Sequence, residues 1–165
     1  MQLVLNEALS SGHGVNLAPG TYTQLSQVEV LIANATDNAG VNIMSFGSTQ
    51  RTRINFTGTG YALTFQGTGD EGSAPLIKIN ISNIKWSGLS NTDSDGLLFF
   101  ERCYIVRCQD LTLGDIAKTT ADALTIRNAF NFEWNGGSIS GNFPTADNRY
   151  GVHIGSDDPD AWATS

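Results

Sequence analysis

The segment Ala62-Leu63-Thr64-Phe65-Gln66 recurs three times in related form along the chain. The later copies are Gly96-Leu97-Leu98-Phe99-Phe100, Ala123-Leu124-Thr125-Ile126-Arg127 and Gly151-Val152-His153-Ile154-Gly155, and they start 34, 27 and 28 residues apart. Each copy is a small residue followed by apolar alternation, the period-2 pattern of a strand with one buried face. A repeat of this length predicts a solenoid in which equivalent residues stack on one another.

Two further columns of short strands support this interpretation. Asn83–Gly88, Asp110–Gly114 and Gly137–Gly141 each end in glycine, and apolar segments precede them at Leu76–Ile79, Tyr104–Val106 and Phe130–Phe132. The sequence therefore predicts three strands per coil and an all-β fold. That fold is a single-stranded, right-handed parallel β-helix of about five or six coils.

The ends of the chain differ from the repeating part. Leu3, Leu5, Ala8 and Leu9 favour a short helix that covers the first coil, and glycines follow it. We therefore predict one domain over 1–165, with a helical cap at 1–14, coils at 15–155 and an uncapped tail at 156–165. Because solenoids need covered ends, that tail predicts a longer parent chain or partner chains.

Composition limits the classes of partner. The 165 residues carry 16 acidic and 9 basic side chains, a net charge of −7, so we expect no nucleic acid. No apolar run reaches eighteen residues, so we expect no membrane span. Cys103 and Cys108 lie five residues apart on one extended segment, and we expect two buried thiols there.

The chain resembles the right-handed parallel β-helix proteins of the pectate-lyase superfamily, and within it the phage tailspike group. The resemblance is carried by the repeats and by Val15-Asn16-Leu17-Ala18-Pro19-Gly20-Thr21-Tyr22, which follows the predicted helix. That group's opening motif is V-x-L-P-x-G-x-Y; here Ala18 stands before Pro19, which shifts the proline by one place.

The resemblance implies binding of a bacterial surface polysaccharide, with cleavage by a hydrolase or lyase, in a homotrimer on a virion tail or outside the cell. Such folds also host inert shafts, so fold alone does not decide activity. A structural or receptor-binding virion shaft is the alternative, and a secreted pectate-lyase-like enzyme is the third hypothesis.

Alternation along the repeats predicts which side chains face outward. With Leu63, Leu97, Leu124 and Val152 inside, Phe100, Arg127 and His153 share the outer face. An aromatic ring stacks on a sugar and an arginine binds a carboxylate, which suits an acidic polysaccharide. The competing interpretation is a solvated sheet face, or a subunit contact made by Leu98 and Phe100.

Candidate catalytic carboxylates precede the repeats. Asp95 and Asp122 occupy equivalent places, so stacking would separate them by roughly 5 Å, close to the spacing of about 5–5.5 Å in retaining glycosidases. Glu101, beside Phe100, is the third candidate. The competing interpretation is that each aspartate caps a turn with its own side chain.

No cofactor is expected, although two segments resemble calcium ligands. Asn91–Gly96 has oxygen ligands at positions one, three and five and glycine at six, but Arg102 stands at the twelfth place instead of glutamate. Asp157, Asp158 and Asp160 form an acidic cluster that is more often a solvated loop. His13 and His153 lack metal-ligand spacing.

Overall fold

The computed structural model describes residues 14–32, 40–46, 52–67, 78–88, 91, 93–116, 121–129, 131–140 and 151–155. In this part of the chain every regular element is a strand. The strands are β1 (Val15–Leu17), β2 (Gly20–Gln24), β3 (Val28–Ile32), β4 (Gly40–Ser45), β5 (Thr52–Phe56), β6 (Gly60–Gly67), β7 (Lys78–Ser82), β8 (Lys85–Ser87), β9 (Ser94–Glu101), β10 (Ile105–Gly114), β11 (Asp122–Arg127), β12 (Asn131–Ser140) and β13 (Val152–Gly155).

All strand pairs are parallel, and they build three ladders. The first ladder runs β1-β4-β7 and continues through the first halves of β10 and β12. The second runs β2-β5-β8 into the second halves of the same two strands. The third ladder runs β3-β6-β9-β11-β13. Five strands per ladder in the described residues correspond to about four turns, so the predicted β-solenoid with three strands per coil is confirmed.

Single residues in the left-handed region turn the chain between ladders. Asn83, Asp110 and Gly136 have φ values of 60°, 49° and 72° and stack at the corner between the first and second ladders. Arg102 and Asn128, at 53° and 51°, form the corner that follows the third ladder. Asparagine, aspartate and glycine tolerate this conformation best, which explains their places at the first corner.

The interior of the solenoid is a continuous apolar core. The rings of Phe65 and Phe100 stack with centroids 5.8 Å apart and planes inclined by 4°. Trp86 is fully buried, as predicted from its alternation with Ile84. Cys103 and Cys108 are buried free thiols, which confirms the prediction made for them.

The predicted register of the third ladder is wrong by one residue in β9. Leu98, not Leu97, pairs with Leu63 and Leu124. Gly60 pairs with Ser94, whereas Tyr61 pairs with Gly96, so β9 has one extra residue, Asp95, at this point. A bulge of this kind shifts the inside–outside alternation of everything after it.

The predicted helix within residues 1–14 and the acidic tail lie outside the described residues. At the two described ends, interior-facing side chains are more open than in the middle. Leu25 beside the first coil is 77% exposed and Ile154 in β13 is 68% exposed. Within the described ranges, no helix is long and apolar enough to span a membrane.

Candidate functional site

The outer face of the third ladder carries the candidate site. Its two outward columns follow directly from the strand register. One column contains Glu29, Thr64, Phe99, Thr125 and His153, and the other contains Gln66, Glu101, Arg127 and Gly155. Successive members lie one strand spacing apart, about 4.8 Å, so side chains distant in sequence become neighbours on a rigid sheet.

Two aromatic rings lie at the centre of this face. The Phe99 and Tyr61 ring centroids are 4.9 Å apart, with planes inclined by 39°. The guanidinium carbon of Arg127 lies 5.3 Å from the Phe99 centroid, a cation–π contact. Both rings are only partly buried, so their remaining surface is open to a ligand.

Tyr61 spans two layers of the solenoid to reach Thr125. Its hydroxyl lies 3.0 Å from the Thr125 Oγ1, and either oxygen can donate. Gly96 makes this possible, because a Cβ at that position would collide with the Tyr61 ring and the Asp122 carbonyl oxygen. Burial raises the pKa of Tyr61 above 10, the neighbouring Asp122 and Asp95 raise it further, and Thr125 and Arg127 oppose the shift. Tyr61 is therefore a neutral hydroxyl at physiological pH.

An imidazole–carboxylate pair closes the site on the side of the last coil. His153 Nδ1 lies 3.3 Å from Asp122 Oδ2, and the two side chains are 41% and 5% exposed. Gly155 leaves room for the ring, since a Cβ there would approach Nε2 to 3.1 Å. The buried carboxylate orients the imidazole, and this arrangement is suited to hydrogen bonding or proton transfer at Nε2.

Phe100 does not lie on this face, and the prediction that it stacks on a sugar ring is wrong. It is fully buried between Phe65 and Phe132. The physical reason is the extra residue in β9, which moves Phe99 outward and Phe100 inward. Arg127 and His153 do lie on the outer face, as predicted.

The predicted stacking of Asp95 on Asp122 is also wrong. Asp122 pairs with Gly96, so Asp95 sits one position earlier, at the bulge, where it is exposed. Asp122 instead faces His153. Glu101 joins the face next to Arg127 in the ladder and is only 6% exposed. The catalytic roles suggested for these three carboxylates remain predictions.

The calcium-like segment beginning at Asn91 uses its first side chain for another purpose. The Asn91 amide donates to the carbonyl oxygens of Phe56 and Gly58, at 3.3 and 2.8 Å. Its side-chain oxygen accepts from the Asp93 backbone N–H at 3.0 Å. This is an Asx turn tied to the neighbouring coil, and it occupies the oxygen that a cation would need. Among the described residues, no group of three or more metal-ligating side chains occurs.

Sequence reasoning missed Tyr61, Phe99 and Thr125 as parts of one site. Tyr61 lies before the alternating segment and reaches the site across Gly96, a contact between coils that no local pattern contains. The Gly60–Tyr61 pair followed 34 rather than 27 or 28 residues later by the next repeat was the available signal of an irregular register.

A second concave region lies at the first coil. It is a cavity of about 600 Å³, lined by Val15, Leu17, Val28 and Ile54 together with residues 22–27. This is the open interior of the solenoid end, and its lining is mainly apolar. It lacks the combination of rings and polar groups found on the third ladder.

No protein-family model, curated protein or solved structure matches the chain. The β-solenoid fold is therefore established by the strand pairing alone.

Proposed function

We propose that the outer face of the third ladder binds a bacterial surface polysaccharide, and that the chain belongs to a tailspike-like protein of a phage particle. The observation that carries the proposal is the convergence of Tyr61, Phe99, Thr125, Arg127 and the Asp122–His153 pair on one face. The phage assignment and the homotrimer come from the sequence resemblance. The binding site comes from this geometry.

The chemistry of the face matches that of a carbohydrate. A sugar ring offers apolar C–H groups that pack on aromatic surface, and hydroxyls that need donors and acceptors around it. Phe99 and Tyr61 supply the apolar surface, and Thr125, His153 and Tyr61 supply polar atoms at its edge. Because adjacent β-strands hold all of these groups, little conformational entropy is lost on binding.

Cleavage of the bound polysaccharide is a second candidate, and the Asp122–His153 pair favours it. An imidazole held by a buried carboxylate is a general base or acid in many enzymes. A non-catalytic virion shaft, in which these aromatic residues meet sister subunits, is the competing function, and a secreted lyase is the third.

Binding of the purified chain to immobilised capsular and O-antigen polysaccharides tests the proposal. Phe99→Ala should weaken binding by about tenfold or more, because stacking surface and the Arg127 contact are both lost. Arg107→Ala is the matched control: Arg107 is exposed on the first ladder, paired with Glu133 at 3.0 Å, and should leave binding unchanged. Absence of binding to every polysaccharide, or equal binding by Phe99→Ala, would contradict the proposal.

Release of oligosaccharides from a bound polymer distinguishes cleavage from binding. If the chain is a depolymerase, His153→Gln and Asp122→Asn should reduce the rate of release while polymer binding is retained. Unchanged binding without any release in the parent chain would favour the receptor-binding function.

A further inference from the structure

The charges on the outer face of the third ladder indicate what class of glycan it accepts. We infer that the ligand is a neutral polysaccharide, rich in hydroxyls and without uronic acid, sulfate or phosphate groups. The inference rests on the proposed function and deepens it. It also reverses the expectation of an acidic ligand that Arg127 raised in the sequence.

Carboxylates outnumber cations around this face. Glu29 and Glu101 lie in its outward columns, Asp122 contacts His153 from its edge, and Asp95 is exposed at the bulge. Among the described residues of the two outward columns, Arg127 is the cation, and Arg102 follows at the corner. The local potential is therefore negative, and it repels an anionic polymer.

Arg127 is already held by neighbours within the protein. Its guanidinium lies over the Phe99 ring, and its ladder partner is the nearly buried Glu101. A ligand carboxylate that recruited Arg127 would have to approach Glu101 and compete with the aromatic contact. Desolvating a second carboxylate beside the first is unfavourable unless both are paired.

His153 is held in the same way. Its Nδ1 faces the Asp122 carboxylate, so even a protonated imidazole is balanced by a negative charge before any ligand arrives. Nε2 remains as one polar atom of the site. Carboxylate oxygens, the Tyr61 hydroxyl and Thr125 Oγ1 accept hydrogen bonds, and sugar hydroxyls are abundant donors.

The charge of the whole chain acts in the same direction. With a net charge of −7, the protein slows the approach of polyanions at low ionic strength, whereas a neutral polymer is unaffected. Local and overall electrostatics thus both disfavour an acidic glycan.

The test uses acidic capsular polysaccharides in two forms, native and carboxyl-reduced, in which each uronic carboxyl has become a primary alcohol. Neutral O-antigens complete the panel. Binding is measured at low and high salt for the parent chain and for Glu101→Gln, Arg127→Gln and Arg107→Ala. We expect reduced or neutral polymers to bind about tenfold or more tightly than native acidic ones, with little salt dependence. Glu101→Gln should narrow the gap between the two forms, while Arg107→Ala should leave it unchanged.

The outcomes separate this inference from the proposed function. Preference for native acidic polymers, lost in Arg127→Gln but retained in Arg107→Ala, would overturn the neutral-ligand inference and still support binding at this face. Equal binding of both forms would overturn the inference as well. Binding that none of the face variants changes, or no binding at all, would remove the proposed function and the inference with it.

Discussion

At the scale of single residues, the pair Phe99 and Phe100 shows how strongly position in the ladder decides a role. Both are phenylalanine and both lie in β9, yet one is part of the outer face and the other is fully buried in the core. Their side chains leave opposite sides of the strand. Chemistry and stability can therefore be separated by substituting adjacent residues.

We expect Phe100→Ala to lower the free energy of unfolding by about 3–5 kcal/mol, because it leaves a cavity between Phe65 and Phe132. Phe99→Ala should cost much less stability and act mainly on glycan binding. Urea denaturation of both variants, with binding measured in parallel, checks this. Similar losses of stability in the two variants would contradict the register described here.

The two thiols are residue-scale features with a consequence for pH. Burial raises the pKa of Cys103 and Cys108 from 9.0 to about 12. In the unfolded chain the thiols ionise near 9, so the folded state binds more protons between pH 9 and 12. Stability contributed by these groups is complete below pH 9 and is lost as the pH rises through that range.

We therefore expect the free energy of unfolding to fall between pH 9 and 12, by up to about 1.4 kcal/mol per pH unit for each thiol. Cys103→Ala and Cys108→Ala should each flatten the pH dependence, although each also removes some packing. Denaturant titrations at several pH values provide the measurement. Native protein at pH 8 should also react with a thiol reagent far more slowly than unfolded protein, and equal rates would show that the thiols are accessible.

At the scale of elements, the corners between strands depend on backbone conformation. Gly137 in β12 has φ of +80°, and a Cβ there would collide with the Leu111 carbonyl oxygen of the neighbouring strand. Gly20 in β2 has no such restriction, since a Cβ would meet the Tyr22 ring at 3.7 Å, an ordinary contact.

Gly137→Ala should destabilise the protein by about 2 kcal/mol or more, because it combines left-handed strain with a backbone clash. Gly20→Ala is the matched control, and its effect should stay within about 1 kcal/mol. Thermal and urea unfolding of the two variants test this element. A Gly137→Ala variant as stable as Gly20→Ala would show that the corner relaxes easily.

At the scale of the whole molecule, the solenoid is a stack in which each coil contacts its neighbours. Middle strands such as β6, β9 and the first half of β10 pair on both sides. Residues of β12 and β13 are largely exposed, and in the described residues those strands pair on one side only. Stability in such an array is distributed layer by layer.

Amide hydrogen exchange should therefore show a gradient along the axis. We expect the strongest protection in β6, β9 and β10 and the weakest in β12 and β13, because an end coil opens without breaking the others. Mass spectrometry of exchanging peptides resolves these strands. Uniform protection across all layers would indicate one cooperative unit, or a partner that covers the last coil.

The amino-acid sequence determined the class of fold. Alternation in the repeats marks strands with one buried face, and a step near 27 residues stacks them, so Trp86 and the two thiols were assigned to the interior correctly. These properties are local or periodic, and periodic burial of apolar side chains is visible without coordinates.

Only the tertiary structure decided the site. The extra residue at Asp95 exchanges Phe99 for Phe100 on the outer face, and the contact of Tyr61 with Thr125 crosses the intervening coil above Gly96. Asp122 meets His153 rather than Asp95 for the same reason. A shift of one residue leaves the hydrophobic repeat recognisable, because Leu97 and Leu98 are equally apolar. It reverses which side chains meet, because a strand alternates its faces at every residue.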